Sequence, residues 1–148
     1  MHRENGSLVD LNLGKGRAIG KLKATITQRF TIQGMQCDVD CDVRFIFFCL
    51  RDANSDWKCK YYKSFYEKDK VSPVDGKNCP DFSKELLAQY PEGYQYLGAA
   101  QHMIGHEILM DLATANNKEF FMMYDAMHEW LEGNEPNLFW GAEKEPKA

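Results

Sequence analysis

Apolar and polar residues alternate along the first half of the chain. In the segment 17–32, Leu22, Ala24, Ile26, Gln28, Phe30 and Ile32 fall on one side, and Lys21, Lys23, Thr25, Thr27, Arg29 and Thr31 on the other. A two-residue period rich in Thr and Ile predicts a strand. Segment 36–51 repeats the pattern, with Cys37, Val39, Cys41 and Val43 alternating with Asp38, Asp40, Asp42 and Arg44. Gln33-Gly34 between them predicts a tight turn. Asp52, Asn54 and Ser55 form a turn cluster, and 57–70 reads as a third long strand. A short strand is expected over 7–13, with 1–6 loose.

Counting outward from the turn pairs Phe30 with Cys37, Ile26 with Cys41, Ala24 with Val43 and Leu22 with Phe45. The opposite face then pairs Arg29 with Asp38, Thr27 with Asp40, Thr25 with Asp42 and Lys23 with Arg44. A one-residue slip would mix apolar and polar faces, so the pattern fixes the register.

Pro73, Gly76 and Pro80 end the sheet, and the period then becomes helical. Asp81 is the expected cap of a short helix reaching Tyr90. A second helix is expected from Pro91 and Glu92 to about Leu112. Asn116 with Glu119 resembles a capping box for a third helix. Its stripe is Phe120, Met123, Met127 and Trp130, and Gly133 is its expected C′ glycine. Strands first and helices second predict an α+β protein. The expected fold is an antiparallel meander of three to four strands followed by two to three C-terminal helices on one side or end. One domain is expected over 1–133, with 134–148 a flexible tail whose Phe139 and Trp140 are the residues able to dock onto it.

A length of 148 residues is one domain's worth. Aromatic content of 13% favours a large packed face or an apolar pocket. A net charge of −4 with scattered Lys and Arg argues against a nucleic-acid surface, which needs clustered positive charge. Of five cysteines, Cys37, Cys41, Cys49 and Cys59 lie in strand-like segments and none forms C-x-x-C. Cys37 and Cys41 would be about 13 Å apart along a strand, too far for a disulfide. They read as small buried hydrophobes in a reducing compartment. With no apolar N-terminal run and no membrane-length segment, a cytoplasmic, membrane-free protein is expected.

The acidic face of the second hairpin strand poses the main question. A solvated sheet surface accounts for it, with Arg29–Asp38 an ordinary cross-strand pair. The same face continues as Ile46, Phe48 and Leu50, however, and a surface polar at one end and apolar at the other also suits a pocket for an apolar molecule carrying a few oxygens. On the third strand the turn length leaves open whether Tyr62 and Tyr66, or Tyr61 and Phe65, share that face. His102 and His106 share a predicted helix face but fall roughly opposite its apolar stripe and read as an exposed pair, so no metal site is assigned. The helical methionines, among them Met103, Met110, Met122, Met123 and Met127, read as core filling.

The ordered set AIGKLKATITQRF, DVDCDVRFIFFCLRD followed by Trp57, YEKDKVSPVD, YPEGYQYL and the run from Met127 to Gly133 resembles the SnoaL-like family of the nuclear transport factor 2-like superfamily, in its scytalone dehydratase-like subgroup. The resemblance covers Ser7 to about Gly133. It implies a cone in which a bent antiparallel sheet wraps around N-terminal helices, with the pocket on the concave face. By position, that pocket face is the side of Thr25, Thr27, Arg29, Asp40, Asp42 and Arg44. The usual N-terminal helices are expected to be lacking, so the cone would be partial. Thr27 stands where the dehydratase pattern has a histidine, so its histidine-centred chemistry does not carry over.

The function implied is binding of a small, mostly apolar oxygenated metabolite, with cofactor-free isomerisation, cyclisation or dehydration in polyketide or terpenoid metabolism as the reaction class. Asp40 or Asp42 would be the acid or base, Arg44 or Arg29 would steady an enolate, and Thr27 would orient a carbonyl. Thr25, Thr27, Arg29, Ile46, Phe48, Tyr62 and Tyr66 complete the candidate ligand contacts. The rival reading is a non-catalytic homodimer in which a second copy covers the sheet.

Overall fold

The computed structural model describes residues 1–140. Five strands form one sheet in the order β1 (His2–Asn12), β2 (Arg17–Ile32), β3 (Met35–Arg51), β4 (Trp57–Pro73) and β5 (Ala113–Thr114). The first four are antiparallel neighbours and β5 pairs in parallel with β4. The result is an open, curved, antiparallel-dominated sheet with helices, an α+β architecture. Helices α1 (Lys84–Leu87), α2 (Gln95–Met103) and α3 (Lys118–Leu131) follow β4.

The β2–β3 register matches the alternation at every pair, from Ile32↔Met35 out to Arg17↔Leu50. Gln33 and Gly34 both have positive φ, at 54° and 76°, as a hairpin turn that follows the strand twist requires. The first strand is longer than expected. Residues 2–4 pair with β2 ahead of an irregularity between Glu4 and Gly6, and the Met1 ammonium donates to the Thr27 carbonyl at 2.7 Å.

Two further irregularities set the faces of β4. The partner of Asp42 is Lys68 but that of Val43 is Tyr66, so Glu67 is an extra residue. Lys60 is likewise skipped between the Phe48↔Tyr61 and Cys49↔Cys59 pairs. Such bulges increase local twist and bend the strand. Tyr61 and Phe65 therefore share the face of Asp40, Asp42 and Arg44. Of the two open alternatives this is the Tyr61 and Phe65 one, and Tyr62 and Tyr66, named as candidate ligand contacts, lie on the other face.

The helices are not gathered on one side. On the Asp face, α3 covers the end far from the β2–β3 turn, where Trp130, Met123 and Met127 pack on Ile19, Ile46, Phe48 and Phe65. The Trp130 indole donates to the carbonyls of Ala18 at 3.1 Å and Cys49 at 3.0 Å, and the Arg17 guanidinium lies over its ring. On the opposite face, α2 covers the turn end, where Tyr94, Leu97 and Ala100 pack on Phe30, Cys37, Val39, Cys41 and Val43. Both helices pack where the sheet beneath them is apolar, because burial of apolar area drives the docking.

Helix ends depart from expectation by local chemistry. Ser83, not Asp81, caps α1 by accepting from Leu86 N at 3.2 Å. Residues 92–94 form a 3-10 turn, and α2 stops at Met103, well short of Leu112, with Gly105 at φ 90°. His106 thus lies in the loop 104–112 and shares no helix face with His102. Asn117, one residue after the expected cap, accepts from Phe120 N at 3.0 Å, and Gly133 follows α3 at φ 89°. The segment expected to be a loose tail is packed as far as it is described. Leu138 and Trp140 are buried, and Glu135 meets Arg17 and Lys60. Residues 141–148 lie outside the described part. Among the cysteines, Cys37 and Cys41 are buried as expected, whereas Cys59 is exposed. No described helix is long and apolar enough to cross a membrane.

Candidate functional site

The Asp face near the turn is uncovered and polar. Thr25 donates to Asp42 at 2.8 Å and Thr27 to Asp40 at 2.5 Å. Arg29 grips Asp38 through two bonds of 2.8 Å. Lys68 stands 3.5 Å from Asp42 and Lys70 3.8 Å from Asp40. The three aspartate side chains are 27%, 23% and 38% exposed, half-sheltered by this ladder of cross-strand partners. Arg3 of β1, opposite Thr25, closes the ledge into a hollow of about 250 Å³. Its walls are Thr, Asp, Lys and Arg, which suits a polar group and not an apolar body.

Other candidates from the sequence do not join this hollow. Arg44 pairs with Glu67 at 2.5 Å, donates to the Tyr124 hydroxyl at 2.8 Å and lies over the Phe65 ring at 4.8 Å. It fastens α3 to β4. Ile46 and Phe48 are sealed under α3, with the Phe48 ring 5.9 Å from that of Trp130. The apolar end of the face is thus core, because α3 supplies the apolar partner that a ligand was expected to supply. Tyr62 leans on Phe45 and Phe47 on the opposite side of the sheet.

Tyr66 leads to a different site. On its face, β2, β4, α2 and the loop 104–112 enclose a cleft of about 280 Å³. Tyr66, Tyr94, Leu97, Leu109 and Leu112 give it apolar walls, and Gln28 and Gln101 give it amides. The Tyr66 and Tyr94 rings are 5.1 Å apart. The Tyr94 hydroxyl donates to the Leu109 carbonyl at 2.8 Å and so pins the loop. Burial pushes the Tyr94 phenol up to about 12, which keeps it a neutral donor. Gln101 Nε2 donates to Gln28 Oε1 at 2.6 Å, while Gln101 Oε1 is buried with no hydrogen-bond partner among the described residues. A buried acceptor without a partner costs about 1–3 kcal/mol, and such a group calls for an explanation.

Behind the cleft, Asp69 holds the start of α2. Its carboxylate accepts from Leu97 N at 2.7 Å. Burial raises its pKa, and the backbone N–H groups of Leu97, Tyr96 and Gln95 pull back against that rise. Gly93 lies so close to β4 that an added Cβ would come within 2.1 Å of the Tyr66 carbonyl oxygen. Only glycine allows this approach.

Gln28 and Gln101 are not among the site residues expected from the sequence, although the alternation carries a signal for Gln28. That residue is the one polar side chain in the apolar series from Leu22 to Ile32. Gln101 follows Leu97 by four positions, which places it on the same helix face.

This combination defines an α+β protein whose curved sheet carries a polar ledge on one face and an aromatic cleft on the other. No family model matches the chain. Pea pathogenicity protein 2 of Fusarium vanettenii is 38% identical over 143 residues, covering 91% of this chain and 61% of that protein. A PEP2-like protein of the same fungus is 37% identical over 143 residues, with the same coverage. An uncharacterized protein of Emericella nidulans is 36% identical over 148 residues, covering 91% of this chain and 62% of that protein. The chain thus spans about three-fifths of the length of these curated relatives.

Proposed function

We propose that this chain is a SnoaL-like, partly cone-shaped protein that binds a small, mostly apolar oxygenated molecule, and that the ligand occupies the cleft beneath the loop 104–112. The carrying observation is the buried Gln101 Oε1, without a partner among the described residues, in a cleft walled largely by Tyr, Leu and Ile, with His106 and Glu107 on its loop side. Apolar walls with a few placed polar groups are the usual make-up of a small-molecule site. Size agrees: an apolar cavity of about 150 Å³ holds benzene, so a cleft of about 280 Å³ admits a one- or two-ring molecule. Melting curves with a panel of monocyclic and bicyclic alcohols and ketones test the reading. A hit should raise the Tm of the parent chain and lose its effect in Gln28→Leu/Gln101→Leu. No shift across the panel, or equal shifts in parent and variant, would remove the cleft as the site.

A second reading is catalytic, with isomerase, cyclase or dehydratase chemistry at Asp40 and Asp42. It is favoured by the Thr27–Asp40 and Thr25–Asp42 bonds, which hold the two carboxylates side by side in the polar hollow. With a turned-over compound in hand, Asp40→Asn and Asp42→Asn should each lower kcat at least tenfold with the melting temperature kept. Unchanged turnover would remove both carboxylates from the chemistry.

A further inference from the structure

The face that carries the cleft has a second region, at the end far from the β2–β3 turn, which α2 does not reach. Leu11 and Val9 lie there beside Ala18 and Gly20 of β2, which neighbour Cys49 and Phe47 of β3, and these neighbour Cys59 and Tyr62 of β4. The patch is four strands wide. Ala18 and Gly20 keep its middle flat, and the Phe47 and Tyr62 rings, 5.4 Å apart, stand beside them. Trp57 closes one corner. Val9, Leu11, Tyr62 and Trp57 are 62%, 54%, 52% and 41% exposed.

Arg51, beside Trp57 at the corner, shares this face, and the other charged residues at this end of the sheet point the other way. Asp10 pairs with Lys21, Lys60 with Glu135, and Lys63 donates to the Leu138 carbonyl, all on the side that α3 and the 134–140 segment cover. At the same end of the sheet, one face is therefore buried under Trp130 and the other lies open with apolar and aromatic side chains. Scattered exposed leucines are ordinary, but a contiguous apolar patch of this kind marks a contact surface.

We propose that the patch of Val9, Leu11, Phe47, Tyr62 and Trp57 is the interface of a two-fold dimer of this chain. The chemistry selects the partner. A surface with a lone Arg51 at its corner lacks the clustered charge that recognises a strongly charged partner such as nucleic acid or an acidic peptide. A flat sheet face fits a second flat sheet face, and twisted sheets pack face to face about 10 Å apart with strands crossing at about 30°. In an isologous contact each patch meets its own copy, so no second complementary surface is needed. The exposed side chains of the patch leave on the order of 600 Å² open per chain, near the ~800 Å² per partner of a standard stable interface. Tyr62 and Trp57 supply the aromatic anchors that dominate such contacts.

Sedimentation equilibrium of the full chain from micromolar to submillimolar concentration tests the assignment. A mass of twice the chain is expected, falling to one chain in Val9→Glu and in Tyr62→Glu with far-UV circular dichroism unchanged. Leu8→Glu is the control, because Leu8 is as exposed as Val9 on the same strand but faces the other side. That variant should stay dimeric. A parent chain that remains a monomer overturns the proposal, as does a dimer that survives both Glu variants or one that Leu8→Glu dissociates. Should the Glu variants fail to fold, alkylation of Cys59, an exposed thiol within the patch, gives the answer in the unaltered chain. Its rate should fall several-fold on going from dilute to concentrated protein, and a rate independent of concentration overturns the proposal.

Discussion

Gln101 donates from Nε2 to Oε1 of Gln28 at 2.6 Å, joining α2 to the middle of β2 across 73 residues of chain. The two amides are the polar pair in an otherwise apolar stretch between helix and sheet. Removing one leaves the other without its partner, whereas removing both leaves a plain apolar contact. Gln101→Leu should therefore cost about 1–2 kcal/mol, and Gln28→Leu/Gln101→Leu clearly less than the sum of the single changes. A double-mutant cycle by urea unfolding measures this. Additive losses would show that the pair is not coupled.

Trp130 should be the most sensitive side chain of α3. It fills the space between Phe48 and Tyr61 and ties both β2 and β3 through their carbonyls. Trp130→Ala should lose about 3–5 kcal/mol, the range for large-to-small changes in a core. Trp130→Phe keeps part of the packing but no donor and should lose less. Equal losses in the two variants would mean that the indole N–H contributes little.

Gly93→Ala should destabilise by at least the ~1–3 kcal/mol typical of overpacking, because the clash is with backbone that cannot swing aside. Gly34→Ala should also destabilise, for a different reason. Its surroundings are open and only its positive φ opposes the side chain. Comparison of the two crystal structures would separate the causes, with β4 displaced in the first variant alone.

Stability should carry opposite pH slopes from two carboxylates. Asp69 has a folded pKa above its ordinary 3.8, because burial disfavours the charged form. Its contribution is present below 3.8 and is lost as pH rises through the folded value. Asp38 has a folded pKa below 3.8, because the Arg29 guanidinium hydrogen-bonds its charged form. Its contribution is present above 3.8 and is lost as pH falls through the folded value. Unfolding midpoints between pH 3 and pH 6 should therefore gain relative to the parent, as pH rises, in Asp69→Asn, and lose in Asp38→Asn. Slopes of the same sign would contradict one assignment.

The segment 134–140 should come away when Glu135 is neutralised. Glu135 accepts from Arg17 at 3.1 Å, Lys60 at 3.0 Å and Tyr61 at 3.2 Å. Amide exchange over 135–140 should quicken in Glu135→Gln while α3 keeps its protection. Unchanged exchange would mean that Leu138 and Trp140 hold the segment by burial alone.

The alternation of side chains determined the β2–β3 hairpin down to single pairs, because strand periodicity is a local property and a slip exposes a whole apolar face. The third helix was legible for a similar reason. Its stripe, its asparagine-rich start and Gly133 are all local signals, and the cap moved by one residue only. What the chain does with each sheet face was decided in three dimensions. Two extra residues in β4 sent Tyr62 and Tyr66 to the side opposite Asp40. The docking of α3 turned Ile46 and Phe48 from pocket wall into core, and that of α2 turned Gln28 from an oddity in a strand into the partner of Gln101. Bulges and helix docking depend on which distant surfaces bury each other, and no local period encodes that.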